Sequence, residues 1–261
     1  MNETLIKSSI EDYFKEMDYL RNKNNPDLKE AFDDSFKKHG VDKELFPAYT
    51  NLYKKIKMDL LETIFTEYAQ LQEQSGRAEM VETMWKSIIG EYENFLFDPA
   101  SIKYHGSYLG GLFDHSINVL YNVLKTRQAY NLTVKDINPY AIVFHDLCKV
   151  GSYRYQIDSS IISGDIIAIV GDEFSNIDKY TFTYNTKYEG IQHGPESLRR
   201  LLIKSLDTIL PEPWQFAVAY HMGPYDCGNS DLMNFGKLAE RHPEVLILHQ
   251  ADMISSKIDR I

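Results

Sequence analysis

Cysteine is scarce in this chain, since only Cys148 and Cys227 occur among 261 residues. Two cysteines are too few for the disulfide framework of a small secreted scaffold. The sequence also has no apolar run near the roughly 20 residues that a membrane-spanning helix needs, and its first residues lack the apolar core of a signal peptide. These absences favour a cytoplasmic protein that does not enter a membrane.

Positive charge is also in deficit. The 28 lysines and arginines are outnumbered by 38 aspartates and glutamates, which gives a formal net charge of −10. This balance argues against a broad basic surface for nucleic acid, but it allows a small phosphate-binding cleft that carries its own metal charge. With 43% hydrophobic residues, the chain can bury a sizeable core in one or two domains.

Helical periodicity dominates the pattern of apolar residues that is present. It predicts a charged helical region over residues 1–95, whose apolar stripes could form core or could pair two copies of the chain. A second domain is predicted over 96–261. Within it, β-prone runs separated by turn residues predict a small antiparallel β-hairpin insertion at about 152–190. The predicted fold class is therefore mainly α, with a helical N-terminal region and one β insertion.

The stretch from Ala141 to Lys149 places an adjacent histidine and aspartate, His145 and Asp146, inside an almost unbroken apolar run. Because burying an unpaired carboxylate costs several kcal/mol, a buried aspartate normally has a cation or hydrogen-bond donors beside it. Neighbouring backbone groups could satisfy the pair, and an isolated pair would favour that interpretation. The alternative is that both side chains bind a metal ion.

Other histidines and one aspartate in apolar or helix-end settings favour the metal interpretation. None of them shows a compact zinc-finger spacing. They are spread over five segments, as when several helices converge on a central cation. The complete set of candidate ligands is His115, His145, Asp146, His193, His221 and Asp252.

In this order the residues resemble the HD-domain metal-dependent phosphohydrolases, over about residues 95–258. The small HD hydrolases of phage and bacterial genomes are most similar. The HD domain of a bacterial 3′-to-5′ exoribonuclease has a similar opening around the first metal histidine. The matching stretches are Pro99–Ser101, His105–Ser116, His145–Lys149, His193–Gly194, His221–Gly223 and His249–Met253.

The resemblance implies an HD helical core and one or two divalent metal ions as cofactor. It also assigns the ligands residue by residue, with Asp146 bridging both ions in a two-metal state. The ligands of the first metal would be His115, His145, Asp146 and Asp252, and the additional histidines of two-metal members would be His193 and His221.

Mixed histidine and carboxylate ligation favours Mn, Fe, Co or Ni over an all-oxygen Mg²⁺ or Ca²⁺ site, while Mg²⁺ stays open for a one-metal state. Lys149 resembles the family lysine that follows the His-Asp pair, and it would bind or neutralise a phosphate oxygen. Asp146 and His105 complete the predicted catalytic set. His105 could protonate a leaving group, although packing within its loop is an equal alternative.

The function predicted from these residues is hydrolysis of a phosphoester in a nucleotide or short nucleic acid by a metal-activated water. A 3′-to-5′ exoribonuclease is one alternative, weakened by the acidic charge and by the lack of a recognisable OB-type region before the HD part. The other alternative is a non-catalytic nucleotide-sensing or partner-binding protein with a structural metal site. The complete ligand set favours the enzyme.

Overall fold

The computed structural model describes residues 1–20, 45–108, 110–157, 180–184, 192–204, 209–223 and 229–261. Helices dominate these ranges, which confirms the prediction of a mainly α protein. No helix within them is both long and apolar enough to cross a membrane. The helices are α1 (Glu3–Leu20), α2 (Leu45–Gln72), α3 (Ala78–Glu91), α4 (Gly111–Thr126), α5 (Pro139–Val143), α6 (His193–Lys204), α7 (Glu212–Tyr220), α8 (Asn229–Arg241) and α9 (Pro243–Met253).

Two five-residue strands, β1 (Tyr153–Ile157) and β2 (Tyr180–Tyr184), pair in antiparallel register. Both strands fall within the predicted insertion. The hairpin predicted over about 152–190 is nevertheless not seen as a unit, because residues 158–179 and 185–191 lie outside the described residues.

The N-terminal helices pack against the rest of the described chain. Helix α1 contacts both α2 and α4. Four of its apolar side chains recur every three or four residues and are buried, namely Ile6, Ile10, Tyr13 and Met17. One cluster of buried apolar side chains extends from Ile6 in α1 to Ala251 in α9. This stripe of α1 is therefore core, whereas the domain boundary at 95 and the pairing of two copies stay predictions.

A buried ion pair joins the N-terminal helices to the start of α4. Lys57 and Asp114 are both fully buried, with Nζ 3.8 Å from Oδ1. Lys57 also donates to the Leu96 carbonyl at 2.6 Å, and the hydroxyls of Tyr13 and Tyr108 donate to the two Asp114 oxygens. Because either charge alone would be costly to bury, this cluster ties the loop before α4 to both N-terminal helices.

Glycines make that loop possible. A Cβ on Gly111 would overlap the carbonyl of Gly106 and lie 2.6 Å from its carbonyl carbon. Gly110 has a φ of +83°, which side chains with a Cβ rarely adopt. The Gly-rich stretch thus lets two backbone segments touch directly, immediately before the helix that carries His115.

Candidate metal centre

The structure brings five of the six predicted metal ligands together, in two overlapping groups. The ligand atoms within each group all lie within 4.8 Å of one another. Each of the five residues is at most 8% exposed. The first group is His115, His145 and Asp252, and the second is His145, Asp146 and His221.

The sixth predicted ligand, His193, belongs to neither group. It is the first residue of α6 and is only partly buried. Among the described residues, the geometry therefore supports a centre built on five side chains, and the role of His193 stays a prediction.

The turn after α5 presents the His-Asp pair. In the sequence, Asn138 and Pro139 predict the N-cap and first turn of a helix that carries the His-Asp pair near its C-terminal end. Helix α5 does begin there, because the Asn138 side chain caps it and Pro139 follows in the first turn. The helix ends at Val143, however, so His145 and Asp146 lie in the turn beyond it and not within the helix as predicted. This early end points both side chains into the space between α4, α7 and α9.

The chain continues from Asp146 as a 3₁₀ turn, Leu147–Lys149. Side chains three residues apart eclipse one another in a 3₁₀ turn. The ammonium of Lys149 accordingly lies 2.6 Å from Oδ2 of Asp146. A 3₁₀ turn and not a continuing α-helix therefore brings these two side chains together.

The carboxylate of Asp146 faces three imidazoles. Its Oδ2 lies 3.5 Å from Nε2 of His145 and 3.7 Å from Nε2 of His115. Its Oδ1 lies 3.2 Å from Nε2 of His221. A carboxylate with histidines at both oxygens has room for a cation at each, and the bridging role that the resemblance implies for Asp146 stays a prediction.

Backbone carbonyls orient the three imidazoles in the same way. Because a carbonyl oxygen can only accept, the Nδ1 atom that faces it must carry the proton, and a neutral ring then turns the Nε2 lone pair to the centre. Metal-binding histidines characteristically have such an outer partner. The pairs are His145 Nδ1 with Ile142 O at 2.8 Å, His221 Nδ1 with Val218 O at 2.8 Å, and His115 Nδ1 with Ile261 O at 3.0 Å.

In this tautomer, the unprotonated Nε2 of His115 faces a second acceptor, a carboxylate oxygen of Asp252. Its Nε2 lies 3.0 Å from Oδ1 of Asp252, and the Nε2 atoms of His115 and His145 are buried without a hydrogen-bond partner among the described residues. A lone pair and a carboxylate oxygen repel one another at this distance. A cation between them converts the repulsion into attraction, so the donor set fits a bound positive charge.

The two carboxyl groups of the centre, Asp146 and Asp252, are ionised, as ligands of a cation must be. Burial alone would raise the pKa of Asp146, but the charge of Lys149 and the neighbouring histidines hold it well below its ordinary value. Burial also opposes ionisation of Asp252, but a proton or other positive charge at Nε2 of His115 lowers the pKa of that carboxyl. Two buried anions therefore face this centre at neutral pH.

The histidines respond differently to the same surroundings. Burial lowers the pKa of His145 to about 4, so this ring is neutral at pH 7 and has a lone pair to offer. At His221, burial also lowers the pKa, but the hydrogen bond to Asp146 outweighs it and raises the pKa above its ordinary value. The Asp146 side of the centre thus stabilises positive charge.

His105 lies beside the centre, with its ring centroid 4.7 Å from that of His115. Both of its ring nitrogens are buried without a hydrogen-bond partner among the described residues. Burial, reinforced by His115 and Lys149, lowers the pKa of His105 to about 3. The ring is therefore neutral at pH 7, which suits hydrogen bonding to a bound group better than the role of a cationic acid.

Arg200 supports the centre and was missed by the sequence analysis. Its buried guanidinium donates to the carbonyls of Leu147 and Val150, at 2.9 and 3.0 Å, and so brackets the 3₁₀ turn that carries Lys149. It also donates to Glu196 at 2.8 Å. Its place beside Leu201 on the apolar side of α6 was a sequence signal for burial, but the two carbonyls that it holds lie 53 and 50 residues away in the chain.

Comparisons with known proteins reveal no relative. No family model, no curated protein and no solved structure matches the chain. The resemblance to HD-domain phosphohydrolases therefore stays a prediction.

Proposed function

We propose that this protein is a metal-dependent phosphohydrolase of the HD type, acting on a phosphoester of a nucleotide or short nucleic acid. One observation carries the proposal. Three imidazoles use Nδ1 to hold a backbone carbonyl and turn Nε2 towards two buried carboxylates. Such a preoriented set of nitrogen and oxygen ligand atoms suits a cation.

The residues fit one or two divalent ions. Nitrogen and oxygen donors in one set favour Mn, Fe, Co or Ni over Mg²⁺. When bound, such an ion supplies an acidified water and polarises a phosphoryl group. A first ion would be held by His115, His145, Asp146 and Asp252, and a second by Asp146 and His221, with His193 as the further ligand that the family pattern adds.

Lys149 supplies the fixed positive charge of the proposed phosphate site. Burial would lower its pKa, but Asp146 outweighs that effect and raises the pKa above its ordinary value. A protonated ammonium has no lone pair for a metal, so its use is to attract an anion. A phosphate oxygen that approaches Asp146 and its neighbours would meet this ammonium, which offsets negative charge as it builds up.

Cys148 is excluded as the nucleophile in this proposal, although it adjoins Lys149. Burial raises the pKa of its thiol to about 12. The reactive thiolate is therefore essentially absent at neutral pH. This supports hydrolysis by water and argues against a covalent cysteine intermediate.

The tight burial of the centre favours a structural metal site as the alternative to a catalytic one. The five clustered ligands are at most 8% exposed, and closed sites are typical of structural metals, whereas catalytic sites keep an open position. A non-catalytic nucleotide-sensing or partner-binding protein with a structural metal ion is therefore the second candidate. The 3′-to-5′ exoribonuclease is a special case of the first candidate, the phosphohydrolase.

A substrate panel separates the candidates. Protein loaded with Mn²⁺ would be assayed on nucleotides, cyclic dinucleotides, short RNA and bis-p-nitrophenyl phosphate, beside an Asp146→Ala variant. Turnover that the variant lacks supports the hydrolase, and stepwise shortening of RNA from the 3′ end identifies the exoribonuclease. Stoichiometric metal binding with no turnover on the whole panel would establish the structural-metal alternative instead.

A further inference from the structure

Helix α9 ends in a π-helical turn, Ile254–Asp259, directly after Asp252. Single π turns in proteins are frequent at functional sites, because the wider turn re-aims side chains. Here the turn places Ser255, which is fully buried, against the first imidazole of the centre. Its hydroxyl oxygen lies 3.1 Å from Nδ1 of His115 and 3.5 Å from the His115 carbonyl oxygen.

Two amides of α4 hold this turn in place. Nδ2 of Asn118 donates to Oγ of Ser255 at 3.0 Å and to Oδ2 of Asp259 at 2.8 Å. Nδ2 of Asn122 donates to the same Asp259 oxygen at 2.9 Å. One face of α4 thus carries a candidate ligand and, three and seven residues later, the two amides that fix the turn beside it.

The direction of each hydrogen bond follows from the chemistry of the groups. The Asn118 amide nitrogen can only donate, so Oγ of Ser255 accepts from it. The Ser255 hydroxyl donates its own hydrogen to the His115 carbonyl oxygen, which leaves a second lone pair for the ring. The Ile261 oxygen, 3.0 Å from the same Nδ1, can only accept. Both neighbours of Nδ1 therefore act as acceptors, and the proton of a neutral His115 belongs on Nδ1.

We propose that Ser255 is a positioning residue for His115. It keeps the ring in the Nδ1-protonated tautomer, with Nε2 aimed at Asp252 and Asp146, and Asn118 holds Ser255 in turn. The inference rests on the proposed function, because this orientation of the His115 ring presents the Nε2 lone pair to a bound cation. It assigns a role to a hydroxyl that touches neither the carboxylates nor the other imidazoles of the centre.

The first test is the affinity for Mn²⁺ of chelator-treated protein, measured by titration calorimetry. Ser255→Ala should weaken binding about tenfold. This is the lower end of the 10–100-fold range for loss of an outer partner, because the Ile261 oxygen still accepts from Nδ1. Ser256→Ala is the matched control, since this neighbouring serine is only partly buried and should bind Mn²⁺ like the wild type.

A second control separates positioning from general stability. Asn122→Ala also removes one hydrogen bond to Asp259 but does not touch Ser255. If Asn122→Ala lowers the Tm as much as Ser255→Ala and weakens Mn²⁺ binding equally, Ser255 is only structural and the inference fails. An unchanged affinity in Ser255→Ala overturns it as well.

The tautomer of His115 gives a readout that needs neither metal nor turnover. Nitrogen chemical shifts of ¹⁵N-histidine-labelled, metal-free protein distinguish the two neutral tautomers. Wild-type His115 should be Nδ1-protonated, and Ser255→Ala should show a mixture. If the wild type binds no Mn²⁺, the proposed function fails, but the tautomer measurement still tests the role of Ser255. A His115 ring that is equally Nδ1-protonated in the wild type and in Ser255→Ala would refute the positioning role of Ser255.

Discussion

The ammonium of Lys149 lies 2.6 Å from Oδ2 of Asp146, and both side chains are almost fully buried. The 3₁₀ turn between them produces this contact, and Arg200 brackets that turn. The same Asp146 carboxylate faces three imidazoles. Asp146 therefore links the lysine to the proposed metal ligands, and mutating Lys149 alone tests its charge while every proposed ligand stays in place.

The first prediction concerns this lysine. Lys149→Met keeps most of the aliphatic stem and removes the charge. Because an ammonium repels a metal ion, Mn²⁺ affinity should not fall, whereas kcat/KM should fall by roughly tenfold to a thousandfold, as for one lost electrostatic donor. Both quantities are measured with bis-p-nitrophenyl phosphate and by calorimetry. The exposed Lys135→Met is the control, and unchanged turnover with a lower Tm would assign Lys149 to stability alone.

The second prediction concerns metal content after loading with Mn²⁺ and dialysis. His145 belongs to both ligand groups, whereas His221 belongs to one. His145→Ala should therefore lose the first ion and weaken binding of the second, while His221→Ala should keep the first ion. Elemental analysis gives ions per chain. The control is His242→Ala, because His242 belongs to neither group, and equal loss from all three variants would contradict the assignment.

The third prediction concerns pH. Asp98 is 7% exposed and accepts a hydrogen bond from the Gly151 amide. Burial, partly opposed by this hydrogen bond, raises its pKa to about 6. The folded state therefore holds the proton more tightly than the unfolded state, so the stability due to Asp98 is present at about pH 4 and is lost as the pH rises through about 6.

Asp98→Asn removes this titration. At about pH 8 the variant should be more stable than the wild type by on the order of 1–3 kcal/mol, from about 1.4 kcal/mol for each pKa unit, and the two should converge near pH 4. Urea unfolding of metal-free protein at both pH values measures the difference, with exposed Asp59→Asn as the control. Parallel pH profiles for wild type and Asp98→Asn would show that Asp98 does not titrate in this range.

The fourth prediction concerns the Gly-rich loop. Gly111→Ala should destabilise the protein by about 1–3 kcal/mol or more, as overpacking does, because its Cβ would overlap the Gly106 backbone. Gly90→Ala, exposed in α3 with no atom within 4 Å of its Cβ, should instead stabilise by about 0.5–1 kcal/mol. Urea midpoints test both. A neutral Gly111→Ala would mean that the two backbone segments can separate freely.

Local chemistry made several helix starts predictable. Asn138 and Pro139 mark the first turn of α5 wherever the rest of the chain lies, because an N-cap side chain and a proline act within one turn. Apolar stretches around His145 and Asp252 predicted burial of these polar residues, since burial follows the pattern of their neighbours in sequence. The mainly helical class and five clustered candidate ligands were accessible for this reason.

The sequence by itself thus determined that His145, Asp146 and Asp252 would be buried, and the order of the candidate ligands suggested a common centre. Tertiary structure alone decided that α5 ends at Val143, that the imidazoles share one tautomer, and that Ser255 and Arg200 support the centre. Ser255 meets His115 across 140 residues. Such contacts depend on where distant segments pack, and residue types do not encode them locally, because a serine or arginine gains its role only from the groups that the fold brings beside it.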